Sequence, residues 1–95
     1  MQRISSKQTA EAFILAIPEI GEIDADGKHY VVFHDQLRGG KATIMIHPDG
    51  RYAIHECGDT YCDAEETFLL LTELVQYAYR HRKQINRVLK DEDLY

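Results

Sequence analysis

Two alternating apolar runs, Ala42-Thr43-Ile44-Met45-Ile46 and Arg51-Tyr52-Ala53-Ile54-His55, flank the segment His47-Pro48-Asp49-Gly50. Alternation is the period of a half-buried strand, and Pro, Asp and Gly between two such runs signal a hairpin. A two-residue Asp-Gly turn would set Ile46 opposite Ala53. A three-residue Pro-Asp-Gly loop is a type I turn with Gly50 left-handed in a bulge. That register sets Ile46 opposite Tyr52 and Ile44 opposite Ile54. Only the second register puts all four large apolar residues on one face, and a one-residue slip would scatter them. The other face then carries Thr43, Met45, His47, Arg51, Ala53, His55 and Cys57, polar except for an apolar spot at Met45 and Ala53.

The pattern before the hairpin changes period. Ala10, Phe13, Ile14 and Ile17 recur at helical spacing, with Ser5 or Ser6 placed to cap the helix and Pro18 to end it. Ile20 to Asp24 reads as a short edge strand and Asp26-Gly27 as a turn. His29 to His34 reads as a strand, and its four consecutive apolar residues predict cover on both faces, as for a central strand. Gly58-Asp59-Thr60 breaks the sheet. Asp63, with Glu66 three residues on, forms a capping box that opens a helix from Asp63 to about Lys90, free of Gly and Pro. The expected fold is α+β in one domain, residues 1–95. It comprises an N-terminal helix, an antiparallel meander of three or four strands, and a long C-terminal helix packed on the same sheet face.

That long helix raises a question of cover. Some 28 residues span roughly 42 Å, against a diameter of very roughly 33 Å for a compact chain of this length. Phe68, Leu71, Leu74, Val75, Ala78, Ile85 and Leu89 form its main apolar stripe. Leu70, Tyr77 and Val88 form a flanking ridge beyond the arc that one sheet covers. His81 lies beside the ridge. Leu70, Tyr77, His81, Ile85 and Val88 are therefore the expected self-association seam, and a symmetric homodimer is its expected form. Cover by the first helix, or by a kink, is the alternative. Arg82 falls inside the main stripe, where it must be paired or reach past the sheet to water.

Composition narrows the function classes. Hydrophobic residues make up 44% of the chain, so a packed core is expected. The formal net charge of −5 disfavours nonspecific binding to nucleic acid or anionic membrane. No apolar run approaches the ~20 residues of a membrane span, and Met-Gln-Arg-Ile-Ser-Ser lacks the pattern of a signal peptide. A cytoplasmic location with both cysteines as thiols is expected.

Little in the chain resembles catalytic chemistry. There is no Gly-rich phosphate loop, His-Glu-x-x-His or Gly-x-Ser-x-Gly. His55, Cys57 and Cys62 are a weak zinc candidate. Thiolate and imidazole suit zinc, yet a structural site needs four ligands and no second pair is visible. Cys62 sits where a helix N-terminus can lower a thiol pKa, but Asp59 and Asp63 oppose it and no oxyanion loop can be named. Arg80, Lys83, Arg87 and Lys90 form a basic stripe able to track phosphates or dock on an acidic protein. They equally complement the dipole at a helix C-terminus, and Asp91, Glu92 and Asp93 follow directly. The chain is thus expected to be a non-enzyme without cofactor.

In size, acidity and layout it resembles small phage and mobile-element proteins that inhibit host defence complexes, including some anti-CRISPR proteins, though it shares no motif with them. The resemblance implies a protein-interaction module of the regulatory or inhibitor kind. A nucleic-acid-associated regulator using the basic stripe is the alternative, and a small metal-binding module the third reading.

Overall fold

The computed structural model describes residues 1–35, 40–57 and 65–95. The sheet break expected at 58–60, Cys62 and the Asp63 cap lie outside the described residues. The element order is α1 (Lys7–Ile20), β1 (Glu22–Ile23), β2 (His29–Asp35), β3 (Gly40–Ile46), β4 (Tyr52–Cys57), β5 (Thr67–Leu69), α2 (Leu71–Arg80) and α3 (Arg82–Asp91). Among the described residues, five strands form one antiparallel sheet in chain order, with β1 and β5 at its edges. The fold is α+β, with five strands where three or four were expected.

The hairpin takes the three-residue register. Ile46 faces Tyr52, Ile44 faces Ile54 and Thr43 faces His55. His47 donates its N–H to the Arg51 carbonyl at 2.9 Å, and Gly50 donates back to the His47 carbonyl at 2.9 Å. Gly50 has φ +89°, the left-handed bulge position that a Cβ disfavours.

α1 starts at Ser6. Its hydroxyl accepts the Thr9 N–H at 3.1 Å, while the Thr9 hydroxyl accepts the Ser6 N–H at 2.9 Å. Pro18 does not end the helix. It lies in the last turn, and the helix runs on to Ile20, where Gly21 donates to the Ile17 carbonyl at 2.8 Å. Proline's fixed φ is helical, and only one backbone bond is forgone.

The largest departure is in the C-terminal third. Thr67–Leu69 pairs with β4, Phe68 against Ala53, so this stretch is sheet and not helix. The helix begins instead after Leu70, whose N–H is held by the Glu73 carboxylate at 2.8 Å. It then breaks at His81, which has φ −99° and ψ 19°. The expected 42 Å rod is therefore two helices of ten residues each, and the longest dimension of the protein is 32 Å. The break leaves carbonyls at the end of α2 without helical partners. Arg82 Nη1 donates to one of them, that of Tyr79, at 3.0 Å, and its guanidinium stacks 4.4 Å from the Tyr79 ring. That is how Arg82 is paired.

One core cluster is formed among the described residues. Phe13, Ile14 and Ile17 of α1, Leu74, Tyr77 and Ala78 of α2, and Ile85 and Leu89 of α3 meet Val31, Phe33, Ala42, Ile44 and Ile54 of the sheet. Buried residues of all three helices and of β2, β3 and β4 share this cluster. The N-terminal segment joins them. Ile4 is buried, its N–H donates to Asn86 Oδ1 at 2.7 Å, and its carbonyl accepts from Asn86 Nδ2 at 2.9 Å.

Candidate functional site

The sheet face away from the core carries a cross-strand apolar row. The register sets Tyr30 beside Met45, Met45 beside Ala53, and Ala53 beside Phe68. Directly opposed side chains on one face are the contact unit of a sheet. Met45 and Ala53 are buried although they lie outside the core cluster. The apolar spot expected at these two residues is the middle of a four-strand row. At one end Tyr30 donates its hydroxyl to Glu22 at 2.9 Å, a bond that raises the phenol's pKa. At the other end Phe68 is 47% exposed, and Leu70, two residues on, is 70% exposed.

Charges frame this second end. The Arg51 guanidinium lies 4.4 Å over the Phe68 ring, and the His47 ring centroid is 5.1 Å from it. Arg51 is held by Asp49 at 2.8 Å. Its N–H, donated to Asp49, keeps that carboxyl below its ordinary pKa. Beside them Glu66 joins three segments. Its Oε1 accepts from Lys28 Nζ at 2.9 Å and its Oε2 lies 2.7 Å from His47 Nε2. The Lys28 hydrogen bond, with further help from His47, lowers the Glu66 pKa, and the same bond raises that of Lys28. Glu66, expected to cap a helix, instead ties the β1–β2 turn and the β3–β4 turn to the start of β5.

A pH dependence follows. Glu66 has a folded pKa below the ordinary 4.5, so its carboxylate favours the folded state above that value. The contribution is lost as pH falls through the folded pKa. Wild type should lose stability on acidification below about 4.5, and Glu66→Gln should flatten that part of the profile. Denaturant titrations at a series of pH values check this. Equal acid sensitivity in both proteins would count against the clasp.

The residues singled out from the sequence are scattered. Of the expected seam, Leu70 is exposed at a corner, Tyr77 and Ile85 are buried in the protomer core, and His81 and Val88 are half-buried. They form no continuous ridge, because Leu70 precedes α2 and the break at His81 redirects α3. The Tyr77 and His81 rings pack tilted against one another, 4.5 Å between centroids, and around Phe33 at 6.3 and 5.4 Å. Both reasons for placing a dimer seam here, excess helix length and an uncovered ridge, are absent. Arg80, Lys83, Arg87 and Lys90 are all exposed, but Arg80 ends α2 while the other three lie on α3.

Cys57 is disulfide-bonded, contrary to the expected thiol. A sulfur committed to a disulfide is no thiolate ligand, so the set His55, Cys57, Cys62 loses a member. Cys62 lies outside the described residues. Among the described residues no three His, Cys, Asp or Glu side chains converge on a common metal position. Also among them, no helix is long and apolar enough to cross a membrane.

The sequence alone does not reveal the Phe68 end of the row, because Phe68 also falls at helical spacing with Leu71 and Val75. The β-forming run Thr67-Phe68-Leu69 before Glu73 was the available signal. Compared with known protein families, curated proteins and solved structures, the chain matches none.

Proposed function

We propose that this chain is a non-enzymatic protein-interaction module of the small regulatory or inhibitor type. The observation that carries the reading is the corner after β5, where Phe68 and Leu70 stand exposed beside Arg51. Large exposed apolar side chains close together mark binding surfaces, and aromatics with arginine dominate their energetics. Phe68 is held between Arg51 and His47 before any partner arrives, so little side-chain entropy is lost on docking. The partner fitted by this corner is a protein surface with an apolar pocket for an aromatic ring. The size, acidity and α+β layout favour an inhibitor of host defence carried by a phage or mobile element.

The test is a Phe68→Asp, Leu70→Asp double variant. Leu70 is 70% exposed and its replacement should cost about 0.5 kcal/mol or less, whereas Phe68, packed on Arg51 and His47, should cost about 1 kcal/mol, and an unchanged circular dichroism spectrum checks that the variant stays folded. Affinity capture from the native host should recover a protein with wild type and lose it with the variant. Recovery of the same set by both would overturn the reading. A nucleic-acid role would rest on the exposure of Arg80, Lys83, Arg87 and Lys90, and salt-dependent retention on DNA or RNA would reveal it.

A further inference from the structure

The geometry points to a homodimer formed by antiparallel pairing of β2 with β2 of a second copy, merging two five-stranded sheets into one. β1 pairs with only two residues of β2, His29 and Tyr30. Beyond them, positions 31–35 of β2 have β3 on one side and no strand on the other among the described residues.

Backbone parity identifies the groups facing that open side. Asp24 donates its N–H to the Lys28 carbonyl at 3.0 Å, so the even positions of this strand address the β1 side. Val32 and His34 therefore point both N–H and C=O outward, with no partner among the described residues. Both side chains are exposed. A row of unpaired strand groups is a template for another strand.

The occupant is set by symmetry. A twofold axis at Phe33 pairs Val32 of each copy with His34 of the other, closing four backbone hydrogen bonds. The window is bounded on one side by Tyr30, already paired with β1, and on the other by Asp35, where β2 ends. It is thus centred on Phe33 and is as long as a second β2 can fill.

Charge agrees. Two hollows run beside this edge, one between the start of β1 at Gly21 and Glu22 and the residues Val32, Val88 and Glu92, the other lined by His34, Gln84, Arg87, Val88 and Asp91. Val88 belongs to both, so α3 passes the axis near Val88. The same twofold runs the α3 helices antiparallel. Lys83 and Arg87 of each then face Asp91 and Glu92 of the other, all four being exposed in the protomer. Basic and acidic residues that oppose one another along a single helix match a second copy inverted against it. This inference goes beyond the Phe68 corner: β2 and β5 lie toward opposite sides of the sheet, so either surface can fail without the other.

Val32→Pro is the decisive variant. The Val32 N–H faces away from β3, so proline is tolerated in the protomer as on any edge strand, yet it removes two of the four intermolecular bonds. Sedimentation equilibrium should show wild type at twice the 11.0 kDa protomer mass at tens of micromolar, an order-of-magnitude concentration. The dissociation constant should rise about tenfold or more for Val32→Pro, with unchanged circular dichroism. Arg87→Glu and Asp91→Arg should each weaken association, and the two together should restore it. A monomeric wild type would overturn the proposal, as would a dimer indifferent to Val32→Pro. A monomer that loses a bound host protein on Val32→Pro would instead assign the edge to an extended segment of a different protein.

Discussion

Phe33→Ala is expected to remove about 3–5 kcal/mol of stability, the usual cost of emptying a buried phenylalanine site. Phe33 is 1% exposed and its ring packs beside both aromatic rings at the helix break, Tyr77 and His81. Its loss opens a cavity where β2, α2 and α3 meet, and nothing beneath can collapse into it without moving a helix. Since domains of this size are stable by only about 5–15 kcal/mol in total, the loss is a large fraction of the whole. Urea unfolding measures the effect. The midpoint should fall sharply while the slope stays close to wild type, because the surface exposed on unfolding hardly changes. A loss below about 1 kcal/mol would mean that the aromatic cluster is not what holds the helix junction.

Gly21→Ala should be nearly as damaging, for a different reason. Gly21 links α1 to β1, and a Cβ placed there would sit 2.6 Å from the Tyr30 carbonyl and 2.8 Å from the Ile17 carbonyl. Both obstacles are backbone, so neither can rotate away. The end of α1 and the β1–β2 hairpin would have to separate, at a cost of about 3 kcal/mol. Gly50 supplies the contrast. Nothing lies within 4 Å of its Cβ position. Gly50→Ala then suffers only the left-handed backbone at φ +89°, about 1–2 kcal/mol. Thermal unfolding of the two alanine variants side by side should place Gly21→Ala clearly below Gly50→Ala. The reverse order would show that backbone strain outweighs the close approach.

Both results bear on the surfaces proposed above. Phe33 lies at the axis of the proposed β2–β2 pairing. Gly21 limits how far β1 extends, because the chain must leave α1 at that point to reach the sheet edge. A short β1 is what leaves Val32 and His34 open. The stability of the protomer and the availability of the edge thus both depend on Gly21.

Local chemistry by itself determined the β3–β4 hairpin, its register and its bulge. Alternation and a turn-forming tripeptide act over ten residues and admit one arrangement that keeps Ile44, Ile46, Tyr52 and Ile54 together. The same holds for α1, where the Ser6 cap and the spacing of Phe13, Ile14 and Ile17 are local signals. The C-terminal third was decided by tertiary structure. Thr67-Phe68-Leu69 suits a helix or a strand, and the free edge of β4 selected the strand, which in turn put Phe68 on the outer face and Leu70 at a corner. The break at His81 has no Gly or Pro to announce it. It occurs where Tyr77 and His81 close around Phe33, so that α2 covers the β4 side of the sheet and α3 the β2 side. A straight helix over a sheet of this width would have left one side of the core open to water, and burying that apolar surface outweighs the helical hydrogen bonds forgone at the break.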